Sequence, residues 1–210
     1  MSQAGSLFLI SAPSGAGKTS LVNAALKAAE HDHENRLCVS VSYTTRPKRP
    51  GEQDGVNYHF ITPAQFQAMQ EAGDFLESAL VYGNHYGTSK SWVEEHLRGG
   101  WHVILEIDWQ GAEQIKRLLP QAVSVFILPP SLETLRKRLQ DRAQDEPDVI
   151  AKRMAEAISD LSHYRLADYL VINDNFDQAV SVLLAIFRGE YQPTAIEKAR
   201  QQTLIENLLP

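Results

Sequence analysis

Leu7-Phe8-Leu9-Ile10-Ser11-Ala12-Pro13-Ser14-Gly15-Ala16-Gly17-Lys18-Thr19 is the stretch on which the reading of this chain turns. Leu7–Ile10 is a short apolar run and reads as a buried strand, while Lys18–Glu30 carries a helical pattern. Between them stands the spacing Gly-x4-Gly-Lys-[Ser/Thr], with Ala12 in place of the first glycine. A loop of this kind turns backbone N–H groups toward phosphate oxygens at the positive end of a helix dipole. Gly15 and Gly17 permit the close approach and the unusual dihedrals. Lys18 puts a point charge on the terminal phosphates, and Thr19 offers a hydroxyl to Mg²⁺. The bland alternative is a glycine-rich strand-to-helix turn, and Gly-Lys-Thr in this context argues against it. Ala12–Thr19 is therefore the candidate nucleoside triphosphate site.

Outward from the loop, short apolar runs alternate with helical patterns. The runs are Leu7–Ile10, Leu37–Val41, His102–Ile107, Ala122–Leu128 and Tyr169–Ile172. Helices are expected over Lys18–Glu30, Ser89–Arg98, Gln110–Leu118, Ser131–Arg142, Asp148–Tyr164 and Asp177–Phe187. Continuous apolar strands separated by helices predict an α/β, three-layer core with a parallel sheet covered on both faces. Two regions break the rhythm. Residues 42–88 are rich in Arg, Gly, Tyr, Thr and Pro, with strand-like pieces at Tyr58–Ile61 and Phe75–Val81 and a short helix opening at Thr62-Pro63. Residues 142–148 form a polar connection between arginine-bearing helices. Binding residues concentrate on such inserts. The last twenty residues read as a charged amphipathic helix.

Bulk properties exclude several classes. A net charge of −6 gives general nucleic-acid binding no electrostatic support. One cysteine, Cys38, excludes a disulfide framework within the chain and fits a reducing compartment. It reads as a small buried apolar residue. The N-terminus shows no targeting pattern and no run approaches a membrane span, so a cytoplasmic location is expected, as a monomer or small homo-oligomer.

Further candidates follow. His102–Asp108 is a strand ending in acids, and in an open parallel sheet ligands bind at the carboxyl ends of strands. Glu106 and Asp108 can hold Mg²⁺, directly or through water, or accept hydrogen bonds from a substrate. Alternatively they end the strand and cap the next helix. Arg46 and Arg49 sit among prolines, and guanidinium forks suit phosphate oxygens. Tyr58 and Tyr86 can add hydroxyl donors. A solvated basic loop is the plainer alternative, but this acidic chain keeps its basic residues here and near Arg136–Arg142.

With these residues in view, the chain resembles the guanylate kinases. The phosphate loop matches, alanine replacing the first glycine in some members of that family. So do Thr44-Thr45-Arg46, Arg49, Glu52, Gly55, Tyr58 and Phe60, then Glu77, Gly83-Asn84-His85-Tyr86-Gly87-Thr88, Glu106-Ile107-Asp108 with Gln110-Gly111, and Pro129-Pro130-Ser131. The match runs over roughly residues 6–190. It implies a single domain with a core of 1–41, 89–137 and 156–190, a GMP-binding insert over 42–88, a lid over 138–155 and a C-terminal helix over 191–210.

The resemblance implies Mg²⁺-dependent transfer of the ATP γ-phosphate to GMP, with dGMP as a further acceptor. Arg46, Arg49, Tyr58 and Tyr86 match residues that hold the GMP phosphate. Glu77 matches the guanine-binding acid, and Ser42 and Thr88 match hydroxyls on the base, Thr88 for O6. Asp108 and Glu106 lie between the nucleotides by analogy, one serving metal and the other the base. Arg138, Arg142 and Arg153 match lid arginines, and Asn173 a position near adenine. Ala143, where many members have glycine, departs from the pattern at the hinge. A GMP-binding interaction module without catalysis would not need Lys18, Thr19 and the arginines. A kinase for a phosphorylated ribose would not need Glu77 with Thr88.

Overall fold

The structure, a computed structural model, describes residues 4–32, 36–142 and 147–209. Its strands are β1 (Leu7–Ser11), β2 (Leu37–Val39), β3 (Tyr43–Thr44), β4 (His59–Phe60), β5 (Phe75–Val81), β6 (Asn84–Ser89), β7 (His102–Glu106), β8 (Val123–Leu128) and β9 (Tyr169–Ile172). Its helices are α1 (Lys18–Ala28), α2 (Pro63–Ala72), α3 (Lys90–Arg98), α4 (Trp109–Leu118), α5 (Leu132–Arg142), α6 (Pro147–Leu161), α7 (Phe176–Phe187) and α8 (Ala195–Leu208), with a 3-10 turn at Ser162–Leu166. Two compact units emerge: Met1–Leu9 with Arg36–Val123, and Ile10–Asn35 with Ser124–Pro210, the division running through β1.

The larger sheet has the order β2-β7-β1-β8-β9, with β2 parallel to β7 and β8 parallel to β9. This is the α/β fold with a parallel sheet that the alternating pattern predicts. Burial follows position. Every residue of β1 is buried, whereas β2 and β9, last in the order at either end, are mostly half-buried. Strands covered on both faces need continuous apolar sequence, which is what Leu7–Ile10 supplies. Ser124 is the polar exception within β8. Its hydroxyl donates to Asp168 Oδ2 at 2.9 Å and its N–H to the same oxygen at 2.8 Å, so the buried polar group is satisfied.

In the first unit, Leu7, Leu9, Val93, Val103, Leu105 and Ile115 form one core. In the second, Phe126, Leu128, Leu161, Ile205 and Leu208 form another. The C-terminal helix α8 is thus held by its last turns, and its start is fixed by a capping box in which Thr194 and Glu197 each bond the other's backbone N–H. Among the described residues, no helix is long and apolar enough to cross a membrane.

A second sheet, order β4-β3-β6-β5, is built within residues 43–89. Strands β5 and β6 are antiparallel and joined by Tyr82-Gly83, with φ of 51° and 77°. Positive φ at both central residues is what the tight primed hairpin turn requires. Register slips between Phe75 and Glu77, a β-bulge. The proline-led helix expected at Thr62-Pro63 is α2, with Thr62 accepting from Gln65 N–H. Strands β3 and β6 have no advance signal in the sequence. One is two residues long, and the other, Asn-His-Tyr-Gly-Thr-Ser, is poor in strand formers and is fixed by its two neighbours.

Two titratable groups report on this packing. Burial pushes the Cys38 thiol up to about 11, so it stays a neutral thiol at neutral pH. His102 Nδ1 accepts the Ser6 N–H at 3.0 Å, which requires that nitrogen unprotonated, and burial lowers its pKa below the usual 6.5. The unfolded chain therefore takes up this proton first as pH falls. The His102 contribution should be fully present above pH 6.5 and decline as pH drops through the lowered value. Denaturant melts at pH 7 and pH 5 should show less pH-dependent loss for His102→Asn than for the parent chain.

Candidate functional site

The sequence-predicted site residues fall into two clusters, one in each unit. In the second unit, β1 delivers the chain into Ala12–Gly17, and α1 begins at Lys18. Gly15 (φ 88°) and Gly17 (φ 96°) hold left-handed dihedrals, and the Ala16 N–H donates to the Pro13 carbonyl at 3.1 Å. Ala12 and Ser14 are half-buried, Pro13, Gly15 and Ala16 buried. Helices α2, α3, α4, α7 and α8 each start with a side chain accepting a first-turn N–H. Helix α1 starts at Gly17 with no side-chain cap and no acid in its first turn. The positive end of a helix dipole that opens in this way favours a negative charge beside it. Lys18 is half-buried and Thr19 exposed on that turn.

Asn173 and Arg138 brace the loop from beneath. The Asn173 amide donates to the Ala16 carbonyl at 2.7 Å, and Arg138 Nη1 donates to the same oxygen at 3.3 Å. Arg138 Nη2 donates to the Asn173 carbonyl at 3.3 Å. A Cβ on Gly17 would run into the Asn173 amide nitrogen, so this glycine is fixed by the brace as well as by its φ. Asn173→Ala should remove one of the two donors to a buried carbonyl. With Arg138 remaining, the low end of a roughly 1–3 kcal/mol penalty is expected, or about 2–4 °C in Tm for a chain this size. Calorimetry and the ATP KM, expected to rise, check this. Arg153, in α6, is half-buried. The side chain of Arg142 and residue Ala143 lie outside the described residues.

In the first unit, the insert builds an arginine–tyrosine cluster. Arg46 Nη2 donates to Glu52 Oε1 at 2.7 Å and Nη1 to the Pro47 carbonyl at 2.8 Å. Its guanidinium lies 5.3 Å from the Tyr58 ring centroid and 5.6 Å from that of Phe60. Tyr58 and Tyr86 meet at 5.8 Å, edge to face. Burial works against the Arg46 charge, but the Glu52 hydrogen bond and the Tyr86 hydroxyl more than offset it and raise its pKa. The same bond to Arg46 chiefly holds Glu52 below the usual carboxylate range. Burial, then the charges of Tyr86 and Glu106, push the Tyr58 phenol up, so it remains an O–H donor. Arg49 is exposed, and its N–H donates to Glu52 Oε2 at 2.8 Å.

Glu52 is a residue whose part the sequence concealed. It clamps Arg46 by its side chain and Arg49 by its backbone, an acid lying six and three residues beyond two arginines. Thr44 does related work: fully buried, its hydroxyl donates to the His85 carbonyl at 3.0 Å and accepts the Arg46 N–H at 3.1 Å.

Beside this cluster, Glu77 and Thr88 face each other across β5 and β6. Thr88 is fully buried and Glu77 is 5% exposed, and the Thr88 hydroxyl donates to Glu77 Oε1 at 2.6 Å. In this arrangement Thr88 commits its single proton to Glu77, which leaves it none to donate to guanine O6, the contact the resemblance implies. The bulge just before Glu77 is a device that re-aims side chains beside sites. Asp108 caps α4, with Oδ1 accepting from Gly111 N–H at 3.0 Å and Oδ2 from Gln110 Nε2 at 2.9 Å. Glu106 ends β7, and Ser42 is half-buried with its carbonyl accepting the His59 N–H at 2.9 Å.

A model of the guanylate kinase family matches residues 4–190. A guanylate kinase of Hahella chejuensis is 54% identical, the alignment covering 98% of this chain and 96% of that one. A guanylate kinase of Alkalilimnicola ehrlichii is 59% identical over 87% of this chain and 88% of its own. The crystal structure of guanylate kinase from Anaplasma phagocytophilum superimposes with a TM-score of 0.74 at 29% identity, covering 97% of this chain and 95% of that chain. Likeness of this extent, on top of the phosphate loop and the arginine–tyrosine cluster, means that the chain belongs to the guanylate kinase family.

Proposed function

We propose that this chain transfers the γ-phosphoryl group of ATP to GMP, giving ADP and GDP, as a cytoplasmic enzyme of purine nucleotide recycling. The carrying observation is the buried Glu77–Thr88 pair on the small sheet whose strand β6 also carries Tyr86 of the Arg46–Tyr58–Tyr86 cluster. Guanine presents two donors, N1–H and N2–H, to one carboxylate. Adenine would present an acceptor there, and an unpaired buried charge costs roughly 1–3 kcal/mol or more, enough for tenfold to hundredfold discrimination. Glu77 is assigned to that edge, with Ser42, Thr88 and Asp108 beside the base.

Arg46, Arg49, Tyr58 and Tyr86 are assigned to the GMP phosphate. A guanidinium carries five N–H donors, and the bonds of Arg46 to Glu52 and Pro47 use only part of them. The clamped, charge-assisted fork suits a phosphate better than a mobile one. Ala12–Thr19 with Lys18 is assigned to the ATP phosphates, and Asn173 to the adenine side through the loop it braces. Arg138, Arg142 and Arg153 act on charge that develops during transfer. The acceptor is already an anionic oxygen, so alignment and charge stabilisation suffice and no general base is required. The proposed boundaries remain a core, a GMP-binding insert over 42–88, a lid over 138–155 and a terminal helix.

The donor set suits Mg²⁺. Among the described residues, His, Cys, Asp and Glu do not gather in threes, and Mg²⁺ carried on nucleotide phosphates takes only one or two protein oxygens. Following the resemblance, Thr19 would supply a hydroxyl, and Glu106 or Asp108 a carboxylate, directly or through water. Bound there, Mg²⁺ supplies charge neutralisation on the phosphates.

A coupled ADP-release assay with GMP, dGMP, AMP, UMP and CMP tests the reading. Release is expected with GMP and dGMP. No release above background with GMP, or a preference for AMP, defeats it.

A further inference from the structure

We infer that Gly111, which touches no substrate in the reading above, is a positioning residue that sets guanine specificity by leaving room for the Glu77 carboxylate. This inference rests on Glu77 reading guanine. Gly111 lies in the first turn of α4, its N–H bonded to the Asp108 cap. A Cβ built there would stand 2.5 Å from Glu77 Oε2 and 3.1 Å from Glu77 Cδ, closer than a carboxylate tolerates. It would also stand 3.5 Å from Asp108 Oδ1.

Helix α4 is the partner that cannot yield easily. The backbone of Gly111 is held by its N–H bond to Asp108. Helix α4 is held against β5 by Gln114, whose Nε2 donates to the Ser78 carbonyl at 2.9 Å and whose Oε1 accepts the Ser78 N–H at 3.3 Å. Glu77 is fixed on the other side by Thr88 at 2.6 Å. An added methyl must therefore displace the carboxylate itself. A carboxylate moved by a fraction of an ångström no longer accepts two guanine donors at once, while a base that offers one donor loses less.

Hypoxanthine, the base of IMP, is such a base, since it lacks the 2-amino group. Gly111→Ala should raise the GMP KM about tenfold, leave the ATP KM within about twofold, and narrow the GMP-to-IMP ratio of kcat/KM. Glu77→Asp withdraws the carboxylate by one methylene and should weaken GMP alone. Combined with Gly111→Ala it should restore part of the ratio, giving a non-additive cycle. Equal losses for ATP and GMP, an unchanged GMP-to-IMP ratio, or additive effects within about twofold overturn the inference. So does failure of both alanine-bearing variants to fold, since the glycine would then serve helix docking. Glu77→Gln assayed alongside separates the two failures. If it leaves the ratio unchanged, the guanine reader is misassigned and the inference falls with it. If it collapses the ratio while Gly111→Ala does not, only the inference falls.

Discussion

Lys18→Ala should lower turnover by roughly 10²- to 10³-fold while leaving GMP affinity nearly unchanged, the scale of removing one preorganised charge aimed at a reacting group. Gly15 and Gly17 hold left-handed dihedrals, and α1 opens without a side-chain cap or a first-turn acid. Backbone N–H groups and a helix dipole remain in the variant, so it retains the means to bind the phosphates of ATP. What it lacks is the positive charge assigned to the terminal phosphates. The loss should therefore appear mainly in kcat and kcat/KM together, rather than in the ATP KM alone. Stopped-flow or coupled ADP release, with GMP binding followed by calorimetry, reads both quantities. Unchanged turnover would remove the phosphate-loop assignment. Lys18→Arg should not rescue, since a planar fork replaces a compact ammonium in a half-buried place.

The parts of this fold that were readable in advance are those where one physical demand dominates. Leu7–Ile10 and Val103–Leu105 are continuous apolar runs, as strands covered on both faces require, and the structure has both buried. Thr62-Pro63 announces α2 because a hydroxyl cap followed by proline suits a first helical turn and little else. Strands β3 and β6 were not readable, because their residues become strand only through partners far along the chain, as Thr44 does opposite Tyr86. The bulge before Glu77 is likewise a property of pairing register. Phosphate-loop spacing is local and visible, but the brace under it joins Ala16 to Asn173 across 157 positions. Glu52 and Gly111 stood in plain sight as matched residues, yet their contacts with Arg46 and Glu77 exist only in three dimensions.

Glu77→Gln should raise the GMP KM by tenfold to beyond a hundredfold, with the ATP KM nearly unchanged. The substitution keeps shape and volume, and Gln Oε1 can still accept from Thr88, so the packing between β5 and β6 should survive. The hydrogen-bonding pattern does not. A carboxylate accepts with both oxygens, whereas an amide accepts with one and donates with the other. One guanine donor would then face an N–H, and the charge that strengthened both bonds is gone. With Glu77 only 5% exposed, water cannot readily fill the gap. Discrimination should shift in a defined direction. Adenine offers an acceptor at N1, which the variant amide can meet, so AMP activity should rise relative to GMP even where both are low. Parallel kcat/KM values for GMP, IMP and AMP decide it. A rise in the ATP KM alone would show that the acid reads the other nucleotide, and equal losses on every acceptor would show that Glu77 holds the sheet rather than the base.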